Sequence, residues 1–229
     1  MSPTRNSHRY TALMVSLLLL FLWVPWWSDF AWGGWLTDLV SIATLLAAVY
    51  AASERSSSYY LAVVLAAPAL CSRALLAYFP QMVELALICW GIFMAYVAVA
   101  ILRDVLTTPR VNLDTISGAL CGYLMLGLTW SVFYALCEFI HPGSLIFSTT
   151  PGALRATLPD IARSYPLYAY YSFTTLTTTG YGDVTPATMA CRSLSIIEAI
   201  AGQFYIAVLV ARLVALEIIQ SSREPKPLL

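Results

Sequence analysis

The residues able to do chemistry are concentrated in one stretch, Thr174 to Pro186, which reads TTLTTTGYGDVTP. Gly180 and Gly182, two apart, give the backbone dihedral angles that a Cβ forbids. With that freedom, successive carbonyl groups can turn to one side instead of alternating as they do along a strand. A ring of such segments would line a column with oxygens that replace a cation's water shell. The side-chain oxygen of Thr178 adds a position at one end. Irregular backbone is tolerated at membrane depth only where protein buries it or where it lines a watery path. The elements around this stretch therefore decide what it can do.

Those elements are apolar. Of 229 residues, 60% are hydrophobic and 10% charged, against roughly 25% charged in an ordinary globular protein. The hydrophobic residues come in blocks close to the ~20 that a bilayer core requires of each helix. Blocks at 10–27, 35–52, 59–78, 82–102, 113–140 and 187–219 predict six spanning helices. The first block follows Arg5 and Arg9 but ends in Pro25, Trp26 and Trp27 with no small-residue cleavage site, so it reads as an uncleaved helix with an interfacial aromatic belt.

Between the fifth and sixth blocks, 141–160 reads as an irregular extramembrane segment with Gly143, Pro151, Gly152 and Pro159. A short helix over 166–177 follows, with Ser164 as its N-cap and Pro166 in its first turn. Its twelve residues rise only ~18 Å, too little to cross, so it is expected to re-enter the membrane and deliver the chain to the glycine stretch. The expected fold class is all-α integral membrane: six transmembrane helices with a re-entrant helix and loop between helices 5 and 6. The expected organisation is a four-helix region at 1–112, a pore-forming region at 113–220 and a short tail at 221–229.

Basic residues set the orientation. Arg5, Arg9, Arg55, Arg103, Arg110, Arg212, Arg223 and Lys226 fall on one side, Arg155, Arg163 and Arg192 on the other, and Arg73 within a span. The excess puts both termini in the cytoplasm and the glycine stretch on the outer side of the plasma membrane. Net charge is zero, which offers nothing to nucleic acid. Cys71, Cys89, Cys121, Cys137 and Cys191 show no metal-ligand spacing. They read as small packing side chains, with a Cys137–Cys191 bridge as the lesser alternative. His8 and His141 have no nucleophile or metal cluster near them in sequence. No enzyme activity and no cofactor are expected.

The run TTTGYGDVTP resembles the signature of the potassium channel superfamily, Thr-x-Gly-Tyr-Gly followed by Asp, and the likeness extends from the short helix through Gly202. The resemblance implies a homotetramer around a central axis, in a lipid bilayer, passing K+ as permeant ion. It implies K+ binding at the carbonyls of Thr178, Thr179, Gly180 and Tyr181, with Gly182 completing the filter and the Thr178 hydroxyl below. Thr179 departs from the commoner valine or isoleucine but would contribute its carbonyl all the same. Tyr165, Tyr168, Tyr170 and Tyr171 would form an aromatic cuff behind the filter, with Tyr170 bonded to Asp183. Thr174 stands where some relatives carry a glutamate. In the last span the resemblance makes Gly202 a candidate hinge, with a packing glycine as the equal alternative, and it turns a stripe of Gln203, Ile206, Val210 and Val214 toward the cavity, where Val210 and Val214 would close by dewetting. Glu198, an ionisable residue inside the span, reads as filter support through a hydrogen bond to the pore helix.

The resemblance covers the first four helices only in count. A voltage sensor needs several arginines in the fourth helix, because one charge moved through 100 mV yields only ~2.3 kcal/mol. The fourth block has none before Arg103, so gating by that device is not expected. The tail after the last span is about ten residues, too short for a regulatory domain, which would have to come from a separate subunit. Three rivals remain: a transporter subunit, disfavoured by a single filter segment; a modulatory subunit assembling with other channel chains; and a membrane enzyme. Arg73 is expected to pair with Glu84 or Asp38.

Overall fold

The computed structural model of the protein describes residues 9–27, 33–51, 56–76, 79, 82–108, 112–148 and 158–221. Five helices come first: α1 (Arg9–Trp27), α2 (Gly33–Ala51), α3 (Ser56–Leu76), α4 (Val83–Thr107) and α5 (Leu113–Ile140). Then follow β1 (Leu145–Phe147), α6 (Leu158–Leu176), β2 (Val184–Pro186) and α7 (Met189–Ser221). All six helices expected from the apolar blocks form. Among the described residues, α4, α5 and α7 are long and apolar enough to cross a membrane; α1, α2 and α3 contain shorter apolar stretches.

The helix limits follow local chemistry. Asn112 caps α5, its side chain accepting from the Thr115 amide at 2.8 Å. α4 runs five residues past its expected end at Leu102. Thr108 is extended (φ −66°, ψ 123°) because Pro109 follows, and a residue before proline is pushed out of the helical region. Arg103 therefore lies within α4 rather than in a polar connection.

α5 is the hub. It packs against α1, α4, α6 and α7, and α3 lies against α4. In a bilayer, apolar burial alone does not drive helices together, so close packing over small residues has to do so. Two glycines of α5 act as notches: a Cβ on Gly118 would stand 2.8 Å from the Tyr10 ring, and one on Gly127 would stand 2.4 Å from the Phe173 ring. Phe173 in turn meets Phe21 of α1 edge-on, with centroids 4.8 Å apart.

Three expectations about the segment between α5 and the glycine stretch are corrected. The short helix begins at Leu158, eight residues before Pro166, so Pro166 and Ser164 lie inside it. Pro159, not Pro166, occupies the first turn, where a missing amide costs nothing. The region after Ile140 is not wholly irregular either. Leu145, Ile146 and Phe147 pair antiparallel with Pro186, Thr185 and Val184. That small ribbon clips the chain before α6 to the chain after the glycine stretch. It is anchored from below by Glu138, whose buried carboxylate accepts the amides of Gly143 (2.7 Å) and Leu145 (3.0 Å).

Cys137 and Cys191 are both free thiols, hydrogen-bonded to one another at the adjoining ends of α5 and α7. The side chains of Arg73 and Asp38 lie outside the described ones, and with them the expected pairing; Glu84 is exposed.

Candidate pore site

From Thr177 onward the backbone leaves the helix in an alternating pattern. Thr178, Gly180 and Gly182 have φ of 57°, 53° and 80°, while no positive φ occurs at Thr179 or Tyr181. The two glycines adopt this region freely. Thr178 does not: a β-branched residue there is strained by roughly 1–3 kcal/mol and persists only when its surroundings hold it.

Hydrogen bonds to the end of α6 do the holding. The amides of Thr179 and Gly180 both donate to the carbonyl of Thr174, at 2.8 and 3.1 Å, and the Thr178 amide donates to Thr175 at 2.9 Å. These three amides thus point back into the protein and occupy the carbonyls of Thr174 and Thr175 in the last turn of α6. Among the described residues, the carbonyl oxygens of Thr178, Thr179, Gly180 and Tyr181 accept no hydrogen bond. All four residues are exposed in the single chain.

The threonine side chains are sorted by the same logic. Thr178 donates its hydroxyl proton to the Thr177 carbonyl at 2.7 Å, which leaves its lone pairs available to a cation. Thr177 donates to Phe173 at 2.7 Å, so in the 2.8 Å contact between the two hydroxyls Thr179 is the donor. The hydroxyl of Thr179 is satisfied by its neighbour in the chain. Thr174 back-bonds to the Tyr171 carbonyl at 2.9 Å.

Beyond the glycines, Tyr170 Oη donates to Asp183 Oδ2 at 2.8 Å, and Asp183 Oδ1 accepts the Val184 amide at 3.1 Å. That carboxylate holds the Tyr170 phenol above its ordinary range, because it is bonded to the protonated form. The Tyr170 and Tyr181 rings lie parallel, 6.3 Å apart. The Asp183 carbonyl accepts both the amide and the hydroxyl of Ser148, each at 2.9 Å, which continues the β1–β2 ribbon to Asp183. Within the aromatic cuff, Tyr168 and Tyr171 are buried and Tyr165 donates to or accepts from Ser131 at 2.9 Å.

Behind α6, Glu198 is fully buried. Its Oε2 accepts from Tyr134 Oη of α5 at 2.5 Å, and its Oε1 lies 2.5 Å from Ser172 Oγ of α6. Ser172 also bonds the Gly127 carbonyl of α5 at 2.7 Å. One side chain of α7 therefore joins α5 and α6. Lower down, a Cβ on Gly202 would meet the Leu176 carbonyl at 2.4 Å, so this glycine serves the close approach of α7 to the end of α6. Tyr123 Oη donates to the same carbonyl at 3.2 Å, and Tyr205 Oη donates to the Ala119 carbonyl at 2.6 Å.

Gln203, Ile206, Val210 and Val214 all lie exposed on α7, but most other apolar residues of that helix are exposed as well, so exposure alone does not single out the stripe. Near its lower end Arg212 Nη2 donates to the Thr108 carbonyl at 2.9 Å. Sequence reasoning passed over Tyr134, Ser172, Glu138 and Tyr205. Their roles depend on which helices adjoin, and the one readable hint was the pair of small residues four apart at Gly118 and Gly122 in α5.

No curated protein matches the chain, and no solved structure does. Residues 122–217 match the family model described as ion channel, a stretch running from the middle of α5 through the alternating backbone to the end of α7. It contains every residue described above from Tyr123 to Arg212. By that match, this segment of the chain is similar to ion channels.

Proposed function

We propose that the protein is a potassium-selective channel in which four identical chains surround one axis, each contributing the backbone of residues 178–182 to the filter. The observation that carries this reading is the alternation of φ at Thr178, Gly180 and Gly182, with the amides of Thr178, Thr179 and Gly180 bonded backward. It leaves a row of unbonded carbonyl oxygens, the ligand type that replaces water around a dehydrated cation. Thr178, Thr179, Gly180 and Tyr181 supply the K+ ligands; Asp183, Tyr170, Thr174 and Glu198 support them.

One chain holds one filter segment, so closure requires copies, and closed homo-oligomers are the usual solution. The covering of the helices agrees: 56% of the most apolar stretch of α5 is buried within the chain, but only 11% of that of α7. A helix this apolar, left this bare, suits a position shared between lipid and neighbouring copies. The four preceding helices join the pore region through α1 and α4, which pack against α5. α4 carries one arginine, Arg103, which is not the ladder that voltage sensing requires. The basic bias orients both termini to the cytoplasm and the mouth outward.

The test is efflux from liposomes holding the purified protein, with rubidium, potassium and sodium compared. Rubidium and potassium are expected to pass and sodium to be excluded, and Gly180→Ala is expected to abolish the difference. Equal passage of sodium by the native protein would refute the proposal. Chemical cross-linking that stops at a dimer would refute the fourfold assembly.

A further inference from the structure

The hydrogen atoms around Glu198 do not add up if its carboxyl group is ionised. Three oxygen–oxygen contacts need a proton: Glu198 Oε2 with Tyr134 Oη, Glu198 Oε1 with Ser172 Oγ, and Ser172 Oγ with the Gly127 carbonyl. A carboxylate and a carbonyl are acceptors only, and each hydroxyl donates once. Tyr134 serves the first contact. Ser172 serves either the second or the third and leaves the other as two facing lone pairs at hydrogen-bond distance. One further proton, on Glu198 Oε1, closes all three: Glu198 donates to Ser172, and Ser172 donates to Gly127.

The neighbours supply no alternative source. From α5 the groups faced are Tyr134, whose hydroxyl also lies 3.3 Å from Ser195 Oγ but is closer to Glu198 at 2.5 Å, and more distantly Tyr123; from α6, Ser172 and, one bond further, Tyr171; on α7 itself, Ser195 and Cys191. Ser195 donates to the Cys191 carbonyl at 2.8 Å and accepts from Tyr171 at 2.7 Å, so its proton is already placed. Among the described residues, no arginine or histidine bonds Glu198, and Glu198, Ser172 and Tyr134 are all fully buried. A carboxylate so placed would lack both water and a counter-ion.

We propose that Glu198 is held as a neutral carboxylic acid and acts as a positioning residue, its proton fastening α7 through Ser172 of α6 to the Gly127 carbonyl of α5 behind the filter. It rests on the channel reading only for its consequence in conduction. The protonation state itself is a property of the purified protein.

Two measurements test it. Infrared spectra of the solubilised full chain, with glutamate carbon-13 labelled, are expected to show a carboxylic-acid carbonyl band near neutral pH that is missing from Glu198→Gln. Carboxylate bands alone would overturn the proposal whether or not the protein conducts. In rubidium efflux, Glu198→Gln is expected to match the native protein near neutral pH, because its amide donates to Ser172 while its carbonyl accepts from Tyr134. Native efflux is expected to fall at alkaline pH, where the acid loses its proton, and efflux through Glu198→Gln to stay flat. Glu198→Leu strands Ser172 and Tyr134 and is expected to lose about tenfold. Glutamine behaving like leucine, or sharing the native alkaline fall, would overturn the proposal. Should Glu198→Gln fail to fold, Glu198→Leu takes its place: a native spectrum without the band, or a band that persists in Glu198→Leu, overturns the proposal.

Discussion

Gly202 of α7 and Leu176 of α6 meet backbone to backbone: a Cβ on the glycine would stand 2.4 Å from the leucine carbonyl oxygen. Leu176 is the last residue of α6, and three residues later the alternating backbone is under way. The contact sets how near α7 comes to the start of the alternating backbone. The obstructing atom is a carbonyl oxygen, which cannot rotate aside as a side chain could. Gly202→Ala is expected to cost about 1–3 kcal/mol by overpacking. It is expected to lower both the melting temperature of the solubilised protein and rubidium efflux. Native values of both in the alanine variant would show that the contact is not constraining.

The hydroxyl of Thr179 is bonded to Thr177, and its side chain takes no part in the row of open carbonyls. Thr179→Val removes a hydrogen bond between exposed groups and little else. Rubidium-over-sodium selectivity is expected to survive it. Gly180→Ala and Gly182→Ala put a Cβ on a left-handed backbone at a cost of roughly 1–2 kcal/mol each, with open space around both, so the penalty falls on the backbone angles. Both are expected to lose selectivity, read as the ratio of rubidium to sodium efflux. A valine variant that admits sodium would mean that the Thr179 hydroxyl matters to the ion.

Tyr170 donates to Asp183, and the carboxylate keeps the phenol protonated above its ordinary range. The sign follows from that direction. A group whose native pKa is raised contributes its full share below the unfolded value, near 10 for tyrosine, and loses it as pH climbs through the native value. Read in Glu198→Gln, where the buried acid is absent, efflux that depends on this clasp is expected to hold through neutral and mildly alkaline pH and to fail only beyond tyrosine's usual range. Tyr170→Phe removes the donor at every pH and is expected to speed the decay of current during sustained conduction. Decay identical to the native protein's would show that the clasp is dispensable.

How much of this was legible in the sequence differs from element to element. The limits of α5 could be read because Asn112 is a capping residue and His141-Pro142-Gly143 stops a helix. The end of α4 could not be read from hydropathy, because Arg103 and Asp104 look like a loop and yet helix continues to the residue before Pro109. Two prolines competed to mark the start of α6, and a three-residue ribbon is too short to show an alternating pattern. In the site, Gly180 and Gly182 announced their backbone angles, but Thr178 did not, since threonine almost never adopts one of that sign. Tyr134 and Ser172 are ordinary residues on apolar helices. Only the packing of α5, α6 and α7 brings their hydroxyls to one carboxyl group.

Arg212 fixes which way the lower part of α7 faces. Its guanidinium donates to the Thr108 carbonyl at the C-terminal end of α4, where the helix dipole favours positive charge. Val210 and Val214 lie two residues to either side, about 200° around the helix at 100° per residue, and so point away from α4. Each is 53% exposed in the single chain. In a fourfold ring that direction would bring valines from four chains toward the axis, where an apolar constriction shuts by shedding water. Val210→Ser combined with Val214→Ser is expected to raise resting rubidium efflux, since hydroxyls keep the constriction wet. Arg212→Ala frees the helix to turn and is expected to shift resting efflux while leaving rubidium-over-sodium selectivity alone, because the filter is held separately by α6. Resting efflux unchanged by the double serine variant would place the closure elsewhere on α7.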